Sequence, residues 1–186
     1  MRGVGLAALL LALSGAAAAQ EGPSAIVSLA DGTRVPLRPW TFSYEYLAYP
    51  KGGSAALAPA ARRESRSLWL GKRELDPAGQ SLEIVYETVE RQRDVDGKPE
   101  KLTLYLAREL RLVAAGGQAS VLKLEPPARE SLVPGAAKDL IVAPRSLDLQ
   151  GETLTGTRSS YCLASYTALV ECGGDAAHRV TRVEFR

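Results

Sequence analysis

The sequence predicts an all-β protein: an antiparallel β-sandwich or barrel-like sheet of about ten short strands, with little or no helix after an N-terminal leader. Three observations predict it. Apolar residues alternate at period two in segment after segment. Turn signals built on Gly, Pro and Asp recur about every eight to twelve residues. Finally, Trp40, Phe42, Tyr44 and Tyr46 occupy every second position of one stretch, WTFSYEYLAYP, with Tyr49 just beyond.

The leader comes first. MRGVGLAALLLALSGAAAAQ has one basic residue, Arg2, then an apolar run from Val4 that closes on Ala17-Ala18-Ala19. A charged start, an apolar middle and a small-residue end form a secretory signal peptide over residues 1–19. The run is short and diluted for a bilayer span, which needs about 20 apolar residues. Ala16 stands where a lipoprotein box requires Cys, so the expectation is a chain that is neither membrane-spanning nor lipid-anchored after cleavage. This places the protein in the periplasm or outside the cell.

The mature chain from Gln20 reads as one β-rich domain, residues 20–186, with the proline-rich connection 125–138 as its candidate dividing point. Ala25–Leu29 is a short strand, Asp31-Gly32 a turn, and Thr33–Leu37 the returning strand. Pro36 and Pro39 are expected to limit pairing there and push those residues toward an edge. Trp40–Tyr49 is the aromatic strand. PKGGSAALAPAA, from Pro50 to Ala61, reads as a loop, and Arg62, Arg63 and Arg66 as its solvated continuation. Ser67–Gly71 is a strand and Asp76–Gly79 a turn.

Ser81–Arg93 and Lys101–Val113 are longer. The second is rich in helix formers. Yet Leu102, Leu104, Leu106, Leu110 and Leu112 all fall on even positions, interrupted only at Arg108. As a strand that puts five leucines on one face, whereas a helix would scatter them. The two segments are read as one hairpin, Ser81–Val113, turning at Asp96-Gly97. Gly116–Gln118 is a further turn and Ser120–Glu125 a strand. Asp139–Val142 and Ser146–Leu149 are short strands, Gln150–Glu152 a turn, Gly156 a kink, Tyr161–Cys172 β-rich and Arg179–Phe185 the last strand.

Composition narrows the function. The 23 basic and 21 acidic residues nearly cancel, so the net charge of +2 gives no field for nucleic acid. Cys162 and Cys172 are the two cysteines, and in an exported chain they are expected to form a structural disulfide. Their spacing is not Cys-x-x-Cys, which argues against a redox pair. The single histidine, His178, has no nucleophile elbow to serve. One histidine and two paired cysteines cannot assemble a zinc site, so neither metal nor cofactor is expected. Asp94, Asp96 and Glu100 offer oxygen ligands, but a hairpin turn explains Asp96-Gly97. Carboxylates are plentiful: Glu45 faces away from the aromatic stripe, and Glu83 and Glu87 share a strand face.

The reading that follows is a non-catalytic exported β protein with a binding, adaptor or structural role toward a protein or glycan ligand. A second is a carbohydrate- or peptide-binding module using Trp40, Phe42, Tyr44, Tyr46 and Tyr49 as its face. A third is an extracytoplasmic hydrolase using a carboxylate pair. The aromatic stripe is the hinge of the choice, because alternating rings on a strand serve as core more often than as a platform.

Overall fold

A computed structural model describes residues 22–70, 73–124, 140–165, 172 and 177–186. The expected leader, 1–19, and the whole of the connection 125–138 lie outside the described residues. The protein is nearly all β. Its strands are β1 (Ala25–Leu29), β2 (Arg34–Pro50), β3 (Ala60–Ser65), β4 (Leu68–Leu70), β5 (Arg73–Leu75), β6 (Ser81–Val95), β7 (Lys98–Val113), β8 (Ala119–Lys123), β9 (Leu140–Thr153), β10 (Arg158–Ser165) and β11 (Val180–Phe185). One 3-10 turn, Ala55–Leu57, is capped by the Ser54 hydroxyl.

Nine strands form one antiparallel sheet in the order β10-β9-β2-β1-β11-β6-β7-β8, with β3 joined to the distal half of β2. β4 and β5 form a separate two-stranded ribbon. The sheet curls, so that β10 comes within 8 Å of β7 and β11 without hydrogen-bonding to either. The concave side closes on one core. Val27, Leu37, Phe42, Leu82, Leu110, Leu147, Leu149, Leu163 and Val183 are fully shielded there. Each such side chain stabilises the fold by about 1.5–3 kcal/mol when fully buried.

Of the five register shifts in the sheet, three decide how β2, β9 and β7 face that core. On β2, Leu37 pairs with Thr153 and Trp40 with Gly151, so two residues, Arg38 and Pro39, face one on β9. The extra residue reverses the in-out alternation, and Leu37 and Trp40 both point inward. The prolines thus do not confine this segment to an edge. Pro36 pairs with Ile26 of β1, and the bulge absorbs Pro39. On β9, Arg145 is the extra residue between Pro144 and Ser146.

The third bulge corrects the five-leucine face. Val85 pairs with Glu109 but Tyr86 with Ala107, leaving Arg108 unmatched. Leu110 and Leu112 pair with Ile84 and Leu82 and belong to the core. Leu102, Leu104 and Leu106 pair with Arg91, Val89 and Glu87, on the opposite side. One inserted residue splits the row because the side-chain period is two.

Other differences are local. Arg62 and Arg63 are not loop residues: β3 pairs them with Glu45 and Tyr44. Their partner strand supplies the order that the flanking Gly- and Ala-rich composition lacks. The expected strands at Asp139–Val142 and Ser146–Leu149 are one strand, β9, and the turn placed at Gln150–Glu152 falls at Leu154–Gly156 instead. The Asp96-Gly97 turn stands as expected. Both residues take positive φ, 53° and 77°, and the Gly97 amide donates to Asp94 Oδ1 at 2.7 Å. Cys162 and Cys172 are disulfide-bonded.

Candidate functional site

The aromatic stripe is divided in its surroundings. Trp40, Phe42 and Tyr44 are 5%, 0% and 2% exposed and form the centre of the core with Phe185. Trp40 lies 4.7 Å from Phe185 and 5.4 Å from Phe42 between ring centroids. The Tyr44 hydroxyl donates to Ser67 O at 3.0 Å and accepts from the Trp69 amide at 3.1 Å, which ties β4 to β2. Burial raises the Tyr44 phenol well above its ordinary pKa. Tyr46 and Tyr49 are half-buried and sit where β2 runs on beside β3 and β9. The stripe therefore does not present five open ring faces in a row.

Trp40 has a second neighbourhood. The Arg66 guanidinium lies 4.9 Å from its ring centroid. Such a cation over an indole face contributes about 0.5–1 kcal/mol at an exposed site. Beside this pair opens a groove of about 450 Å³. It is lined by residues of two neighbouring cross-strand rows, Trp40, Gly151 and Ser159 on the core-facing side and Thr41, Gln150 and Ser160 on the outer side. Glu152 and Arg158 close one end and form a 3.6 Å ion pair. Glu64 and Arg66 also line it.

The backbone explains why these strands can meet here. A Cβ on Gly151 would stand 2.7 Å from the carbonyl oxygen of Pro39 and 3.0 Å from Leu37 Cβ. Only glycine lets the bulged part of β2 lie so close to β9. The β9–β10 connection is a three-residue turn. Thr153 N donates to Thr157 O, and Gly156, at φ 78°, donates to Thr153 O, both at 2.9 Å. That turn sets the register that brings Ser159 and Ser160 alongside Gly151 and Gln150.

The groove holds hydroxyl, amide, guanidinium and carboxylate groups of both signs. Among the described residues Arg66 makes no ion pair, and the Trp40 Nε1 hydrogen is buried without an acceptor. This equipment suits a polar ligand held by several hydrogen bonds. His178 is exposed and does not line the groove. Among the described residues no three His, Cys, Asp or Glu side chains are grouped to hold a metal.

A carboxylate pair does occur, on β2 and β9. Glu45 is held by Arg62 at 3.7 Å and Arg145 at 3.6 Å. Asp148, opposite Ser43, is raised in pKa by burial, with Arg62 opposing the shift and Glu45 adding to it. Neither carboxylate lines the groove. The face-sharing Glu83 and Glu87 lie opposite or paired with Arg111 and Arg108, as a solvated strand face would.

Of the groove residues, sequence reasoning singled out Trp40 for binding. Gly151 carried a signal, since a glycine inside a strand marks a close backbone approach. Arg66, Gln150, Ser159 and Ser160 carried none; they converge only through pairing. Against known protein families, characterised proteins and solved structures the chain shows no match, so the site stands on its own geometry.

Proposed function

We propose that this is an exported, non-catalytic binding protein whose ligand occupies the groove between Trp40, Gln150 and Ser160. The observation that carries the reading is the groove itself. It gathers polar groups from four segments beside a capped indole, and neither histidine nor cysteine lines it. Export is supported by the signal-like pattern over residues 1–19 and by the Cys162–Cys172 disulfide, a bond of oxidising compartments. Among the described residues no helix is long and apolar enough to cross a membrane. The ligand class is a polar chain, peptide or glycan, rather than a flat ring stacked on Trp40, because Arg66 already covers that ring.

The test is a titration of peptide and glycan libraries followed by Trp40 fluorescence in a Trp69→Phe background. A binding ligand displaces or rigidifies Arg66 and changes the Trp40 emission. Ser160→Trp, which fills the groove from an exposed position, should weaken that ligand at least tenfold. If every ligand that binds leaves Trp40 unchanged and is indifferent to Ser160→Trp, the groove is not the binding site.

A further inference from the structure

The groove opens onto the edge of the sheet, and that edge has free backbone groups. β10 pairs with β9 on one side, and among the described residues no strand pairs with it on the other. The Thr153–Thr157 bond fixes the phase of the ladder. Hydrogen-bonded and non-hydrogen-bonded pairs alternate in an antiparallel ladder. Gly151–Ser159 is therefore a bonded pair, while Glu152–Arg158 and Gln150–Ser160 are not. Arg158 and Ser160 consequently turn their N–H and C=O groups away from β9, toward the open edge.

Most other edges of this sheet are guarded; among the described residues the exception is β9 over residues 140–143, uncharged and paired with β2 alone. β8 is five residues long, β4 approaches it, and Arg73 reaches its Ser120 hydroxyl at 3.0 Å. β3 carries Arg62, Arg63 and Glu64 in succession. The distal edge of β7 begins Lys98-Pro99 and continues through Lys101. Lysine, proline and closely spaced charge are the usual means of blocking edge pairing. β10 has one charge, Arg158, and then Ser159, Ser160 and Tyr161. Among the described residues it joins an edge of low charge to the groove beside it.

We propose that β10 accepts an extended peptide segment of a partner protein as an added strand along Arg158–Ser160, with an acidic side chain of that segment against Arg158. Only an extended backbone matches an alternating row of amide donors and carbonyl acceptors. The acidic preference follows from Arg158, whose side chain is 89% exposed and holds Glu152 at only 3.6 Å. Side chains of the added strand on the Ser160 face would enter the groove over Gln150 and Thr41. The inference rests on the groove reading and gives its ligand a chemical identity.

The experiment pans a display library of random heptapeptides on the disulfide-intact chain and titrates synthetic copies of the enriched peptides. Strand addition predicts enrichment of Asp or Glu and exclusion of proline from the pairing stretch. Backbone N-methylation at alternate residues should weaken binding at least tenfold in one phase and little in the other. Ser160→Pro, which removes an outward N–H that β9 does not use, should weaken it equally while the far-UV spectrum is retained. Should that variant misfold, the N-methyl series decides alone.

Peptides that are blocked by Ser160→Trp yet indifferent to N-methylation would overturn strand addition and leave the groove reading standing. Glycans binding in place of peptides would do the same. No binding from either library would remove both. A concentration-dependent dimer in sedimentation, lost in Ser160→Pro, would assign the edge to a second copy of this chain and overturn the partner peptide.

Discussion

Two long strand pairs run through this molecule, and their surroundings differ. β2 and β9 pair from Leu37–Thr153 to Pro50–Leu140, and β6 and β7 from Ser81–Val113 to Val95–Lys98. The first pair is flanked by β1, β3 and β10 and carries Trp40, Phe42, Tyr44, Leu147 and Leu149 in the core. Among the described residues the second is flanked only at its base, by β11 at Ser81–Glu83 and by β8 at Glu109–Val113. Tyr86, whose hydroxyl donates to Val180 O at 2.7 Å, and Arg179, 4.1 Å from the Tyr105 ring, anchor the next turn of the ribbon. Beyond them, residues 90–103 are exposed and, among the described residues, pair only with each other. Equal ladders are thus unequal in stability. What distinguishes them is lateral pairing and apolar burial, since a lone two-stranded ribbon is marginal in water.

Substitutions can break this comparison or sharpen it. The largest effect is expected at Phe42, which is fully buried: Phe42→Ala should cost about 3–5 kcal/mol in chemical denaturation. A loss under about 1 kcal/mol would show that the β2–β9 centre is not the stable half.

Gly151→Ala comes next. Its methyl group meets the Pro39 carbonyl oxygen, backbone that cannot rotate away, so a loss of about 1–3 kcal/mol is expected. The groove should deform with it, read as a change in Trp40 emission. An unchanged melting temperature and spectrum would mean that β2 and β9 do not depend on this close approach.

Asp148→Asn tests the outer side of the same strand pair through pH. Burial raises the Asp148 pKa in the folded state. A carboxyl with a raised folded pKa favours folding when protonated. Its contribution is fully present below the unfolded value, about 3.9, and is lost as pH rises through the higher folded value. The wild-type chain therefore loses this contribution toward neutrality, and the asparagine variant does not. The variant's relative stability should be greater at pH 7 than at pH 4, measured by denaturant midpoints at both. Equal differences at the two pH values would place Asp148 in solvent.

The smallest effect is expected at the ribbon tip. Leu102, 40% exposed, should change stability by no more than about 0.5 kcal/mol when replaced by Ser. Amides of residues 90–103 should exchange through local opening, far ahead of those on β2. Protection at the tip equal to that of Phe42 would erase the distinction between the two pairs.

What could be read from the residues was whatever depends on local pattern. The all-β class followed from period-two alternation, the ribbon turn from Asp96-Gly97, and the disulfide from two cysteines behind a leader-like N-terminus. The stripe Trp40, Phe42 and Tyr44 was visible as one face. The bulges were not, because an extra residue at Arg38-Pro39, Arg108 or Arg145 leaves no compositional mark yet reverses every side chain beyond it. β3 was hidden because its sequence, AARRES, forms a strand only when β2 offers it a ladder. The groove was hidden for a related reason. Trp40, Arg66, Gln150 and Ser160 are brought together by register, and register is a property of pairs.

The unmatched Arg108 has one more consequence. The two core leucines after it, Leu110 and Leu112, belong to the principal cluster, whereas Leu104, before it, is 6% exposed yet lies outside that cluster. A single strand therefore carries leucines inside the principal cluster and a buried leucine outside it. Their energies are separable. Truncations at Leu104 and Leu112 should add without coupling, as substitutions far apart do. Two leucines eight positions apart on one strand behave as residues of two different structural units.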